Sequence, residues 1–161
     1  MFVMATKWLT AREMTAWRTY IETYADLVHA IERDLADDDF TLGDYQVLVH
    51  LSETPDRSMR MCDLADQLQL SPSGLTRRLD GLVTAGYVSR QASTADRRVM
   101  LAALTDEGFA ALEAAAPGHV ASVRRHVFDH LDDAQVDALA SVFEAIRTGL
   151  EEHEARERVE A

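Results

Sequence analysis

Between Ser71 and Thr105 the hydrophobic period changes from that of a helix to that of a strand, and this constrains the fold more than any other feature of the chain. Leu75, Leu79 and Leu82 recur at i, i+4 and i+7, so a narrow apolar stripe faces a core. Ser71 predicts an N-cap, because its hydroxyl can accept a bond from an orphan amide of the first turn. Pro72 follows at the first helical position, where its fixed φ helps and its missing N–H costs nothing. Gly86 predicts a left-handed cap at the other end. Ser73, Arg77, Asp80 and Thr84 fall on the side opposite the leucines, with Thr76 at its edge. The helix therefore has an apolar back and a small, polar, arginine-bearing front.

After Gly86 the period falls to two. Tyr87 to Arg90, a polar tip from Gln91 to Asp96, and Arg97 to Leu104 read as a β-hairpin. Upstream, Met61 to Leu68 reads as one short helix, and Gln69 and Leu70 form a tight connector into Ser71. Helix, short turn, second helix and an arginine-bearing hairpin make a winged helix-turn-helix. The second helix has the size and front face to enter a DNA major groove, and the hairpin would reach the neighbouring minor groove.

The stretch LADQLQLSPSGLTRRLDGLVTAGYV, then Asp96, Arg97 and Arg98, then LTDEG from Leu104 to Gly108, resembles the MarR family of bacterial transcription regulators. The order of helix-turn-helix, "GYV", Asp-x-Arg wing and "LT-x-x-G" matches in sequence and spacing, and the similarity runs from about Trp17 to Leu150. The resemblance implies a homodimer on a palindromic operator, usually repressing. It also implies that Arg98, the arginine of Asp-x-Arg, goes into or beside the minor groove. A further implication is a pocket for a small aromatic effector between the long helices and the winged helix. Two departures stand out. Gln69 occupies a turn position where relatives often carry glycine, and the wing tip Ala92 to Ala95 has no lysine.

A net charge of −12 argues against a nucleic-acid partner until its distribution is considered. Of 16 Lys+Arg and 28 Asp+Glu, residues 55–104 hold seven arginines and five aspartates, which leaves that block at +2 and the rest at −14. Only the proposed DNA-facing block is positive, and the acidic flanks repel phosphate elsewhere. Salt-dependent binding through a small basic surface follows, with modest affinity for non-specific DNA. A single cysteine, Cys62, excludes an intramolecular disulfide framework and suits a reducing cytoplasm. No stretch has membrane-spanning length, and the opening MFVMATKWLT does not read as a signal peptide.

Trp17, Tyr20, Ile21, Tyr24, Leu27, Val28, Ile31 and Leu35 sustain a helical period, so Ala11 to Asp37 is predicted to be one long helix. Thr41 followed by Asp44 resembles a capping box for a second helix bearing Tyr45, Val47, Leu48 and Leu51. Ser58 to Arg60 predicts a short strand beside the wing. Thr105 caps a further helix that Pro117 and Gly118 are expected to kink or break. Asp132 and Asp133 open the last helix, and residues 151–161 are expected to fray. The expected organisation is a dimerisation helix and first lobe helix over 1–54, the winged helix-turn-helix over 55–104, and C-terminal dimerisation helices over 105–161. The fold class is mainly α with a small β-hairpin wing. The terminal helices are more apolar than a lone winged helix requires, which points to exchange between two protomers, the alternative being cover for one monomer's core.

Arg77 is the best candidate for base reading, since a guanidinium pairs bidentately with guanine O6 and N7. Ser73 and Thr76 are short donors suited to phosphates or a thymine methyl, and Ser71 can serve as cap and phosphate donor. Arg78 lies toward the flank, facing phosphate, as do Arg90 and Arg97. The bland reading makes Arg77 and Arg78 solvated arginines pairing with Asp80. Asp96 and Arg98 alternate onto one strand face, where an ion pair would brace the hairpin. Gly74 and Gly81 suggest a close approach of another backbone, or simple tolerance. Trp17, Tyr20, Tyr24, His29 and Tyr45 are the candidate effector contacts, and an aromatic stripe at this spacing serves equally as core. His119, His126 and His130 have a metal-compatible spacing but read as solvated. No nucleophile–base constellation, phosphate loop or cofactor motif points to an enzyme. The competing functions are a thiol-based redox sensor using Cys62 and a protein-interaction module that binds no DNA.

Overall fold

In the computed structural model, residues 6–160 are described. The first residues of the N-terminal segment read above as no leader lie outside that range, as does Ala161. The chain forms two compact units, one up to Ser122 and one from Val123.

The first unit opens with α1 (Ala11–Leu35), started by a capping box in which the Thr10 amide donates to Glu13 and the Glu13 amide to the Thr10 hydroxyl. The Thr10 amide, and then the Thr10 hydroxyl, hold the Glu13 carboxyl below its ordinary value. Only Ile31 and Leu35 of α1 are buried, so its N-terminal part lends little to this unit's core. A single 3-10 turn over Ala36–Asp38 and a left-handed Asp39 (φ 60°) then reverse the chain. The Thr41–Asp44 box starts α2 (Leu42–Ser52), which buries Tyr45, Val47, Leu48 and Leu51.

Strand β1 (Ser58–Arg60) leads into α3 (Met61–Gln67), α4 (Pro72–Thr84), β2 (Val88–Ala92) and β3 (Met100–Leu104). The strands form an antiparallel sheet in the order β1-β3-β2, with Arg60 opposite Leu101 and Val88 opposite Leu104. The buried Leu64, Leu75, Leu79 and Leu82 of the two helices share the core with Val88, Ala102 and Leu104. Both helix ends close in the same way. Leu70 N–H reaches Ala65 O at 2.9 Å around left-handed Gln69 (φ 52°), and Tyr87 N–H reaches Leu82 O at 2.9 Å around Gly86 (φ 80°). Glycine meets that conformation freely, whereas Gln69 carries a penalty of roughly 1 kcal/mol.

The last helix of this unit, α5 (Asp106–His126), passes into the second unit from Val123 onward. Its Thr105 cap is built in three directions. The hydroxyl donates to Gly86 O at 2.7 Å and accepts from Gly108 N–H at 2.9 Å, while the Thr105 amide donates to Tyr87 O at 3.0 Å. Gly108 is buried so close to the Tyr87 carbonyl that a Cβ there would collide with it. The "LT-x-x-G" pattern is therefore a joint that seats α5 against the foot of the wing. Beside it, the Arg57 guanidinium lies 3.6 Å over the Phe109 ring and 3.4 Å from Asp106.

Three local expectations are corrected. The helix does not break at Pro117 and Gly118: proline's φ suits a helix, and at this exposed site the freed carbonyl one turn back can bond water. The returning wing strand begins at Met100 rather than Arg97, because residues 93–99 close a turn with Ser93 N–H on Val99 O at 2.8 Å. In the second unit, a 3-10 turn over Phe128–His130 precedes α6 (Asp133–Glu160), which stays helical through the region expected to fray. Exposed pairs one turn apart, Glu152–Arg156 and Glu154–Arg158 at 3.4 Å each, supplement the helix there.

Candidate nucleic-acid interface

The front of α4 is exposed and polar. Ser71 caps the helix by accepting from Gly74 N–H at 3.1 Å, with the Ser73 hydroxyl 3.2 Å from its own. Thr76 donates to Pro72 O at 2.9 Å, so its oxygen can only accept from outside and its methyl remains available. Arg77 is exposed, and among the described residues its side chain makes no hydrogen bond or ion pair. This combination of a free guanidinium, a methyl and small hydroxyls on one helix face suits the edges of base pairs.

The other arginines divide into two kinds. Arg97 and Arg98 project from the exposed wing tip without a side-chain partner among the described residues. Arg78 and Arg90 are instead engaged within the protein. The Arg90 guanidinium donates to Thr76 O and to Asp80, both at 2.8 Å, tying the wing to α4. Arg78 donates to the Thr41 hydroxyl at 3.1 Å and lies 3.9 Å from Asp44. Asp80 thus pairs with Arg90 on the wing, not with Arg77 or Arg78 on its own helix. The expected Asp96–Arg98 ion pair is also replaced: Asp96 accepts from the backbone amide of Arg98 at 2.9 Å, an Asx turn that shapes the tip and leaves the guanidinium outward.

Sequence reasoning missed Thr41 and Asp44 as partners of Arg78, since a contact 37 positions apart has no periodic signal. Of the two glycines on α4, Gly74 approaches the Ser71 hydroxyl and Leu70, while a Cβ at Gly81 would meet open space. Neither is required by an approaching backbone.

The candidate effector residues fall into separate groups. Trp17, Tyr20 and Tyr24 make an exposed ladder along α1 with ring centroids 5.9 and 6.1 Å apart, and His29 is exposed. Tyr45 is a core residue whose ring centroid lies 4.3 Å from that of His119. Its burial pushes the phenol above its ordinary value. Cys62 is exposed on the first turn of α3, its thiol 3.3 Å from Asp63. Among the described residues no group of three His, Cys, Asp or Glu side chains is placed to hold a metal ion.

His119 is not solvated as expected. Its Nδ1 is buried without a hydrogen-bond partner, and burial holds the imidazole below its ordinary value. The folded state thus resists protonation that the unfolded chain accepts at about pH 6.5. Stability should be unaffected above that pH and should fall as the pH drops below it, down to the lower folded value. In thermal melts the loss between pH 7 and 5 should shrink in His119→Gln; an equal loss in both proteins would remove His119 as its source.

A sequence model of the MarR family matches residues 40–100 of the chain. The HTH-type transcriptional repressor YetL of Bacillus subtilis is 31% identical over 121 residues, spanning 73% of this chain and 72% of YetL. Among solved structures, AbsC, a MarR family transcriptional regulator from Streptomyces coelicolor, is similar with a TM-score of 0.85 and 39% identity, over 91% of this chain and 99% of AbsC. Sco3205 from the same organism, a MarR family regulator solved in complex with DNA, has a TM-score of 0.85 and 38% identity, over 90% of this chain and 91% of Sco3205.

Proposed function

The chain belongs to the MarR family and is a DNA-binding transcription regulator, and from that premise we propose that it acts as a cytoplasmic homodimeric repressor on a palindromic operator. The observation that supports this best is the exposed front of α4, where Arg77 is free of any described partner beside Ser73 and Thr76. In this reading α4 enters the major groove, Arg77 reads a base pair, and Ser71 and Ser73 meet phosphates. Arg98 lies in or beside the minor groove, with Arg97 on the backbone and Asp96 holding the tip in shape. Arg78 and Arg90 lie on the two flanks, each paired with a carboxylate of the protein, and either reaches a phosphate only by leaving its present partner.

Dimer formation is supported by apolar rows on both units: Trp17, Ile21 and Tyr24 on α1, and Val142, Ile146 and Leu150 on α6, are all more than 40% exposed. Rows of this size call for cover, and a second copy would bring two α4 helices to one DNA site. Release by a small aromatic ligand completes the proposal by family resemblance, with Trp17, Tyr20, Tyr24, His29 and Tyr45 as candidate contacts.

Fluorescence anisotropy against the chain's own upstream intergenic DNA and a scrambled duplex, at two salt concentrations, tests this together with light scattering. The expected result is a particle of two 18.0-kDa chains that binds the upstream DNA tightly and with strong salt dependence. A monomer in solution and on DNA would refute the dimer. Equal binding to both duplexes at every salt concentration would refute an operator in that region.

A further inference from the structure

We propose that Asp44 limits the sequence-independent DNA affinity of this protein through Arg78, by keeping this arginine off the phosphate backbone. The inference rests on α4 being the element that enters DNA. Arg77 and Arg78 line one open groove with Thr41 and Asp44, and among the described residues Asp44 is the one acidic group lining it. Two adjacent guanidinium groups thus face one groove in different electrical states. Arg77 stands without a described partner, whereas Arg78 is compensated by Asp44 at 3.9 Å and bound to Thr41 at 3.1 Å.

This seat for Arg78 is built by several residues. A Cβ on Gly43 would collide with the guanidinium, so the side chain fits only because position 43 has none. The Thr41 hydroxyl that receives Arg78 donates its own proton to Asp44 at 2.6 Å and accepts from the Asp44 amide at 3.1 Å. The cap of α2 and the seat of Arg78 are therefore one hydrogen-bonded unit, and its carboxylate is only 23% exposed.

Sequence-independent affinity grows with the number of phosphates that cationic side chains neutralise, because each releases condensed counterions. An arginine already paired with a carboxylate adds nothing to that count, and the carboxylate repels an approaching phosphate. Asp44 thereby withholds one contact per protomer that would strengthen binding to any DNA, while base reading by Arg77 is untouched. Operator and non-operator DNA lose this contact alike, so the protein's hold on DNA in general is weaker and less salt-dependent while the preference set by Arg77 is unchanged. The same economy of positive charge is visible in the block 55–104, where seven arginines leave a balance of only +2.

The test titrates the full-length protein against a scrambled duplex across a salt series, with folding followed by circular dichroism. For each protomer bound, Asp44→Asn should raise affinity about 5- to 10-fold near 0.1 M salt and steepen the slope of log K against log salt by about 0.9. In an Arg78→Met background the same substitution should leave the slope where Arg78→Met alone puts it. Arg78→Met by itself should leave the wild-type slope unchanged. A slope shallower by about 0.9 per protomer bound would place Arg78 on a phosphate in the native complex and overturn the proposal. That arm holds even if Asp44→Asn does not fold. Arg77→Glu separates the two readings. If it leaves binding unchanged, α4 is not at the DNA. If it weakens binding while a folded Asp44→Asn has no effect, α4 is at the DNA and the role of Asp44 is refuted.

Discussion

Arg77→Ala is expected to weaken binding to the operator by about 1–3 kcal/mol per half-site and to relax discrimination at one base pair of each half-site. The argument starts from the arginine's surroundings. With no carboxylate or carbonyl to leave among the described residues, its guanidinium gives up only water on meeting a base edge. The helix that bears it is held rigidly on both sides, by Arg90 on the wing and by Arg78 at the start of α2. Selection of bound sequences from a randomised pool, performed with wild type and variant, measures both effects. A variant that weakens all sequences equally and keeps the same preferred site would assign Arg77 to the backbone. A variant with unchanged affinity would remove it from the interface. Arg98→Ala in the same assay should lower affinity chiefly for sites with a narrow flanking minor groove, where an inserted arginine gains most.

Gly108→Ala should destabilise the fold by at least about 2 kcal/mol, although alanine is the better helix former by roughly 1 kcal/mol. The added Cβ would meet the Tyr87 carbonyl oxygen, a backbone atom already committed to the Thr105 amide, and would also press on Leu104. Relief requires α5 to lift away from the foot of the wing, which strains the Thr105 cap and its bond to Gly86 O. In a chain of this size the midpoint of thermal unfolding should fall by about 4–8 °C. Urea denaturation gives the free energy directly. An unchanged or raised midpoint would mean that the joint relaxes freely and that the glycine of "LT-x-x-G" is dispensable.

What could be read without coordinates rests on neighbours within about four positions. The leucine stripe of α4, its Ser71 cap and Pro72 start, the Thr41–Asp44 box and the left-handed Gly86 all follow from contacts inside one helical turn. The change of period after Gly86 announced the wing for the same reason. Local rules also misled in places. Pro117 and Gly118 look like a break, yet the helix continues, and Asp96 and Arg98 look like an ion pair on one strand face, yet they lie in a turn. The identity of each arginine's partner was not legible at all. Arg78 joins a hydroxyl 37 residues away, Arg90 joins a carboxylate ten residues back, and His119 on α5 meets Tyr45 on α2. A guanidinium on a helix surface has many acceptors within reach, and local sequence does not rank them. Docking α2, α4 and the wing against one core selects among them, so the sequence alone determined that a basic helix and wing exist, and the tertiary structure decided which of their charges remain free.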